Sequence, residues 1–464
     1  MSTDRQILRL AIPSILANVT VPLVGMVDIA VAGHLSASSA ALIGGVTIGS
    51  MIFDLLYWNF GFLRAGTGGM TAQAYGRGDM HYAVDTLSRA IGIALAGAFL
   101  ILALQVPIVQ AVLAVVDSSP EVRELARSYF FLRIWAAPAT LSLMAFKGWF
   151  IGMQDALSAM GTDLTVNLGN ILLSIALAFG AGPLPRMGFS GIAAGTVIAQ
   201  YLGLAFSAGV VAVKYGKLFK GYGAADALAA FRGKEMRRFF STNADLFIRS
   251  LCFIGIYIGF TLISARYGDL LLASSAIIMK LMLFFSYFTD GFAYAGEALT
   301  GKYIGRREIP MVRRTVGHTF AWSMGIGMVF VLVNGLAAVP LFHLMTGDEA
   351  VVEVSRNFIL WLVLMPLVGC PAFTWDGIYI GATASRAIRN SSVWALAVFL
   401  AVWFGGLAVT RVPSSAPDAS PEAIAAVHLL LLAYLGHLAA RAIYLTVRYR
   451  SAILAPHETV SSGE

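Results

Sequence analysis

The chain is a succession of apolar runs, each long enough to cross a lipid bilayer, with little between them. A helical span needs about 20 predominantly apolar residues. Twelve segments qualify: about 8–33, 38–66, 85–115, 126–151, 160–180, 188–213, 239–265, 270–295, 316–343, 355–380, 390–410 and 424–446. Lipid gives an unpaired backbone amide no partner, so runs of this length are expected to fold as helices. Composition points the same way. Charged residues are 12% of the chain and hydrophobic residues 58%, where a soluble domain carries about 25% charge.

The breaks between runs carry turn chemistry: Asp117-Ser118-Ser119-Pro120, Gly180 to Pro185, Gly347-Asp348, and Pro413 to Pro421. Twelve spans return both ends of the chain to one side. One side then holds most of the basic loop residues, including Arg77, the stretch Lys214 to Arg238, Arg306, Arg307, Arg313, Arg314, Arg386 and Arg389. The other holds Arg123, Arg127, Arg186, Arg266, Arg356 and Arg411. This asymmetry places the first set and both termini in the cytoplasm of a multi-pass protein of the inner (plasma) membrane. It also accounts for the net charge of +7 without nucleic acid as a partner.

The halves look like copies. Gly61-Phe62, leading to Ala74-Tyr75-Gly76-Arg77, is echoed by Gly291-Phe292, leading to Tyr303-Ile304-Gly305-Arg306. Lys147-Gly148-Trp149-Phe150-Ile151-Gly152 matches Asp376-Gly377-Ile378-Tyr379-Ile380-Gly381. The spacing is 229 or 230 residues each time. The expected architecture is an all-α membrane protein of twelve helices in two pseudo-symmetric six-helix bundles. An amino-terminal lobe, 1–213, precedes a basic cytoplasmic linker, 214–238, and a carboxy-terminal lobe, 239–464. Transporters use such repeats to build a cavity between two rocking lobes.

Other classes fit poorly. Cys252 and Cys370 lie inside apolar runs, which argues against a disulfide framework or a thiolate metal site. The seven histidines are scattered, no nucleophile–base set is evident, and no Walker sequence is present. An enzyme, an ATP-driven pump and a bound cofactor are therefore not expected. A filter-like repeat, which a channel would need, is also lacking. The start, Met1 to Gln6, has no cleavage-site pattern, and the first run reads as a retained span.

Several stretches carry a resemblance. Gly61-Phe-Leu-Arg-Ala-Gly-Thr-Gly-Gly-Met-Thr-Ala-Gln-Ala-Tyr-Gly76 resembles the end of helix 2 in multidrug-and-toxin-extrusion (MATE) transporters of the DNA-damage-inducible (DinF) type. Val27-Asp28 with Gly33 is similar to helix 1 of that family. Asn243-Ala-Asp245 with Arg249-Ser250-Leu251, Asp290-Gly-Phe-Ala-Tyr-Ala-Gly-Glu297, and Asp376 to Thr383 with Arg389-Asn390-Ser391 are similar to its helices 7, 8 and 10. The resemblance spans about 10 to 395. It implies the MATE fold and efflux of organic, often cationic and amphipathic, compounds by a monomer that rocks between two access states, in exchange for H+ or Na+. The alternative is a flippase of lipid-linked precursors from the same superfamily. Such flippases need a strongly cationic cavity, whereas many intramembrane charges here are acidic.

Ionisable groups at bilayer depth are costly and mark pathways or partners. Asp28 lies about 30 Å along its helix at about 1.5 Å per residue. The resemblance implies a cation-coupling role for it, with Asn170, Ser174 and Thr196 as partners. Ser174 stands where the family often has a second aspartate, and a single carboxylate tilts the expectation toward H+. Asn167 reads as an ordinary helix-packing residue. Asp54, with Tyr57 nearby, could meet an organic cation or pair with Arg64. Basic Arg64 and Lys147 of the first half and acidic Asp245, Asp290, Glu297 and Asp376 of the second suggest an inner gate closed by Lys147 and Asp376. The simpler account is pairing within each lobe. Asp245 and Arg249, four apart, read as an intrahelical pair. Lys280 lies at membrane depth without an evident role.

Overall fold

A computed structural model describes all residues except Met1, 36–38, Asp117, Pro183, Arg411, Val412, Ser414 and 459–464. Asp117, Pro183 and Ser414 of the expected turns, and Arg411 of the expected outer set, thus lie outside the described residues. Among the described residues all regular structure is helical.

Among the described residues, twelve helices are long and apolar enough to cross a membrane: α1 (Thr3–His34), α2 (Ala40–Arg77), α3 (Met80–Ala103), α4 (Pro120–Gly152), α5 (Ala156–Phe179), α6 (Phe189–Lys214), α7 (Gly233–Tyr267), α8 (Asp269–Gly305), α9 (Ile309–Met345), α10 (Ile359–Gly381), α11 (Ser385–Thr410) and α12 (Pro421–Glu458). The expected run 85–115 is interrupted at Leu104, and Gln105–Val115 forms a separate helix. The ends follow local chemistry. Asp79, Ser119 and Ser420 cap α3, α4 and α12 by accepting hydrogen bonds from Tyr82, Val122 and Ala423 amides, and Pro120 and Pro421 occupy first turns. Gly78, with φ of +73°, closes α2 in the left-handed conformation. In α9 the helical backbone breaks at Ala337, three residues before Pro340, whose ring clashes with the preceding turn and which has no amide to donate.

The chain divides into two compact units. One is Ile12–Asn243; the other is Ala244–Glu464 together with Met1–Ala11. In the amino-terminal unit Phe53, Tyr129, Phe130 and Leu141 are among the core residues. In the carboxy-terminal unit Phe260, Tyr267, Phe342, Trp403 and Leu430 are. The surface is apolar where lipid would lie: Phe99, Leu172, Val213 and Leu336 are all exposed.

Glycines fix the closest approaches. A β-carbon on Gly148 or Gly152 of α4 would overlap the carbonyls of Arg64 or Gly68 on α2. On Gly377 or Gly381 of α10 it would overlap those of Ala293 or Glu297 on α8. The two contacts repeat at the same spacing of 229 residues as the sequence motifs, so each unit is built around the same close-packed helix pair.

Candidate functional site

In the amino-terminal unit the polar residues of five helices converge on two neighbouring groups. Gly191 and Gly195 of α6 let its backbone press onto Leu177, Ala178 and Ser174 of α5. That closeness allows Asn170 Nδ2 to donate to Thr196 Oγ1 at 2.7 Å, Thr196 Oγ1 to donate to the Ile192 carbonyl at 3.1 Å, and Ser174 Oγ to donate to the same carbonyl at 3.3 Å. Asn167 Nδ2 donates to Thr20 Oγ1 of α1 at 2.6 Å, which pins α1 beside α5. Asp28 then faces Ser174 and is 3% exposed. Its Oδ1 and the Asn170 Oδ1 are buried without a hydrogen-bond partner among the described residues.

The second group centres on Arg133. It sits on α4 just before a single 3₁₀ turn, Ile134–Ala136, an irregularity that often marks functional positions in helices. Arg133 Nη1 donates to Tyr129 Oη at 2.9 Å and to Ser50 Oγ at 3.0 Å. Its guanidinium lies 4.9 Å from the Phe53 ring centroid. Asp28, Asp54 and Tyr57 all lie within its electrostatic reach. Asp54 is exposed and Tyr57 half-buried, one turn before α2 breaks at Asn59 and Phe60. Arg133 is thus a positive charge near both acids that the sequence singled out in the amino-terminal half. No sequence motif singles it out, although an arginine inside an apolar run is a visible signal.

The remaining candidates lie elsewhere. Lys147 pairs with Asp163 of α5 at 2.8 Å. Arg64 is half-buried on α2, and its carbonyl packs on Gly148. In the carboxy-terminal unit, Asp290 is half-buried and Glu297 fully buried on α8. Asp376 Oδ2 accepts from Arg249 at 2.7 Å and from Arg441 at 2.5 Å. Asp245 takes Arg389 at 2.7 Å and Ser385 at 2.8 Å. The expected intrahelical Asp245–Arg249 pair is therefore replaced by partners on neighbouring helices, which join α7 to α10, α11 and α12 rather than merely decorating α7. Lys280 is exposed on α8.

Outside the spans, Asp155 ties three segments together. It caps α5 through the Ser158 amide and accepts from Ser158 Oγ at 2.6 Å, Lys214 Nζ at 2.7 Å and Tyr215 Oη at 2.8 Å. Burial works against its ionisation, but these hydrogen bonds outweigh it and hold the carboxyl below its usual range. Burial and the same carboxylate push the Tyr215 phenol up.

The sequence pattern of the MatE family matches residues 13–179 and 246–404, the bulk of both repeats. The chain belongs to the MatE family. Among its relatives is DNA damage-inducible protein F of Escherichia coli, 34% identical over 398 residues, covering 86% of this chain and 85% of the relative. A probable multidrug resistance protein NorM of Deinococcus radiodurans is 23% identical over 420 residues, covering 89% and 88%. The fold matches a crystal structure of a MATE protein in complex with MaL6, with a TM-score of 0.81 at 17% identity over 99% of this chain and 98% of that one. It also matches the Vibrio cholerae MATE transporter VcmN in its bent form, with a TM-score of 0.81 at 16% identity over 97% of each. The MatE protein described here is accordingly a multi-pass membrane transporter and not an enzyme.

Proposed function

We propose that this MatE protein is a monomeric secondary antiporter of the plasma membrane, with both termini cytoplasmic. It exports organic, amphipathic cations in exchange for an inward proton. The observation that carries the coupling reading is Asp28: a buried carboxylate with one oxygen unpartnered among the described residues, beside Ser174 and within reach of Arg133. A transported proton needs one basic oxygen, which Asp28 offers. Sodium needs several oxygens and would have to sit near the Arg133 guanidinium, whose charge repels it. The unpartnered Asn170 Oδ1 favours the second reading, sodium, because with Asp28 it could supply two oxygens to a hard cation. No cofactor is proposed; the coupling ion is cargo. Asp54, exposed beside Tyr57 and Trp58, suits the capture of an organic cation by a carboxylate and aromatic faces. The multidrug resistance names of several relatives support that substrate class.

The test is efflux of a fluorescent cationic dye from proteoliposomes under a proton or a sodium gradient, with wild type and Asp28→Asn. Proton-driven efflux that Asp28→Asn abolishes is the expected result. Sodium-driven efflux would overturn the choice of ion. No dye movement under either gradient would overturn the substrate class and turn attention to lipid-linked precursors.

A further inference from the structure

We propose that Arg249 of α7, Asp376 of α10 and Arg441 of α12 form a binding site for a singly charged anion inside the carboxy-terminal unit. Both guanidiniums donate to the same carboxylate oxygen, Asp376 Oδ2. Both also stack on one ring, Phe253, with their central carbons 4.7 Å and 4.4 Å from its centroid. Two positive charges thus share one negative charge. Tyr434 and His437, which Arg441 reaches electrostatically, are not carboxylates and add no acidic partner. The surplus positive charge lies at bilayer depth, where an uncompensated charge is costly.

The hydrogen-bond inventory points the same way. Arg249 Nε and Arg441 Nε are buried without a partner among the described residues, as is Asp376 Oδ1. A buried guanidinium normally satisfies its fork of donors. An anion against the two Nε–H groups would complete the set and cancel the surplus charge. Planar guanidinium pairs suit a carboxylate in particular, and they also accept a halide. Access is one-sided: the Arg249 side chain is 21% exposed and that of Arg441 2%. Asp376 holds the arginines together through their Nη2 groups; an anion at the Nε groups leaves those bonds in place and competes with Asp376 only for the positive charge. Asp376 Oδ1 is left to accept from water or from a hydroxyl of the ligand.

This site is independent of the coupling reading at Asp28 and is tested without any gradient. Purified full-length protein in a neutral detergent is dialysed to equilibrium against radiolabelled chloride and, separately, radiolabelled decanoate, with decyltrimethylammonium as the cationic control. The expected result is one saturable anion site per chain, weakened at least tenfold in Arg249→Gln and Arg441→Gln. Removing the internal competitor in Asp376→Asn should tighten it. Binding of chloride alone assigns the site to an inorganic ion; binding of decanoate alone assigns it to the headgroup of an amphiphile. If wild type binds neither anion, or if binding is unchanged in both arginine variants, the site is only a structural ion cluster and the proposal falls. Should Arg441→Gln fail to fold, Arg249→Gln, whose side chain is the more exposed, carries the test.

Discussion

Arg133 shows how one side chain organises a site that is otherwise assembled from small neutral groups. It reaches Ser50 and Tyr129 through one nitrogen and lies over Phe53. Arg133→Lys keeps the charge but loses the planar grip on both hydroxyls. A hydrogen bond from a charged donor is worth about 1.5–3 kcal/mol, and a lysine that keeps one of the two should lose about that much, seen as a lower unfolding midpoint in detergent. Asp155 gives a test with a pH signature. Its carboxyl is held below the ordinary range, so its stabilising contribution is full above that range and is lost as pH falls through the lowered folded value. Asp155→Asn should therefore destabilise the protein at pH 7. The gap between variant and wild type should stay constant down to about pH 4 and narrow below it. A gap that narrowed already between pH 7 and 5 would mean that Asp155 is not the group responsible.

Between elements, the duplicated glycine contacts carry most of the packing logic. Gly148→Ala and Gly377→Ala would each press a methyl group onto a carbonyl of the facing helix. Backbones do not yield as a flexible side chain does, so each substitution should cost about 1–3 kcal/mol. Gly209→Ala, with open space around it, should cost nothing or stabilise slightly; thermal unfolding of the three variants checks the contrast. These glycines were visible in the sequence as a repeated motif, and the twelve spans were visible as apolar runs, because both signals are written in consecutive residues. What stayed hidden depends on which helices touch. Lys147 gave no hint of Asp163, nor Asp376 of Arg441, since those partners come from helices whose order in the bundle no spacing reveals. The break at Leu104 did carry a signal, Pro107 three residues on, placed as Pro340 is after Ala337, but a proline also occurs inside unbroken spans such as α1 and the apolar run continues past it.

At the scale of the whole molecule, the two compact units do not begin where the two repeats begin. Residues up to Ala11 belong with the carboxy-terminal unit, and residues up to Asn243 with the amino-terminal one. The contacts agree. At the start of α1, Asp4 accepts from Trp322 at 3.0 Å and lies 2.7 Å from His318, both on α9, while Gln6 accepts from Tyr303 of α8 at 2.8 Å. At the start of α7, Glu235 accepts from Tyr82 at 2.9 Å, and Phe239 is fully buried among Met70, Ala90 and Ala145. The linker is held to α3 as well: Tyr222 donates to Asp85 at 2.8 Å, and the buried Arg89 donates to the Ala230 carbonyl at 2.6 Å. Each unit is therefore completed by a helix start that the other half of the chain supplies. Severing the chain before Gly221, an exposed position with φ of +84° and open space around it, leaves every one of these contacts available. The fragments 1–220 and 221–464, co-expressed, should therefore co-purify through a tag on either one. Phe239→Ala empties a buried aromatic site at a cost of about 3–5 kcal/mol and should sharply reduce recovery of the untagged fragment. Asp4→Ala, which removes only polar contacts near a surface, should reduce it less. Recovery that ignored Phe239→Ala would mean that the exchanged helix starts do not hold the halves together, and that the continuity of the chain does.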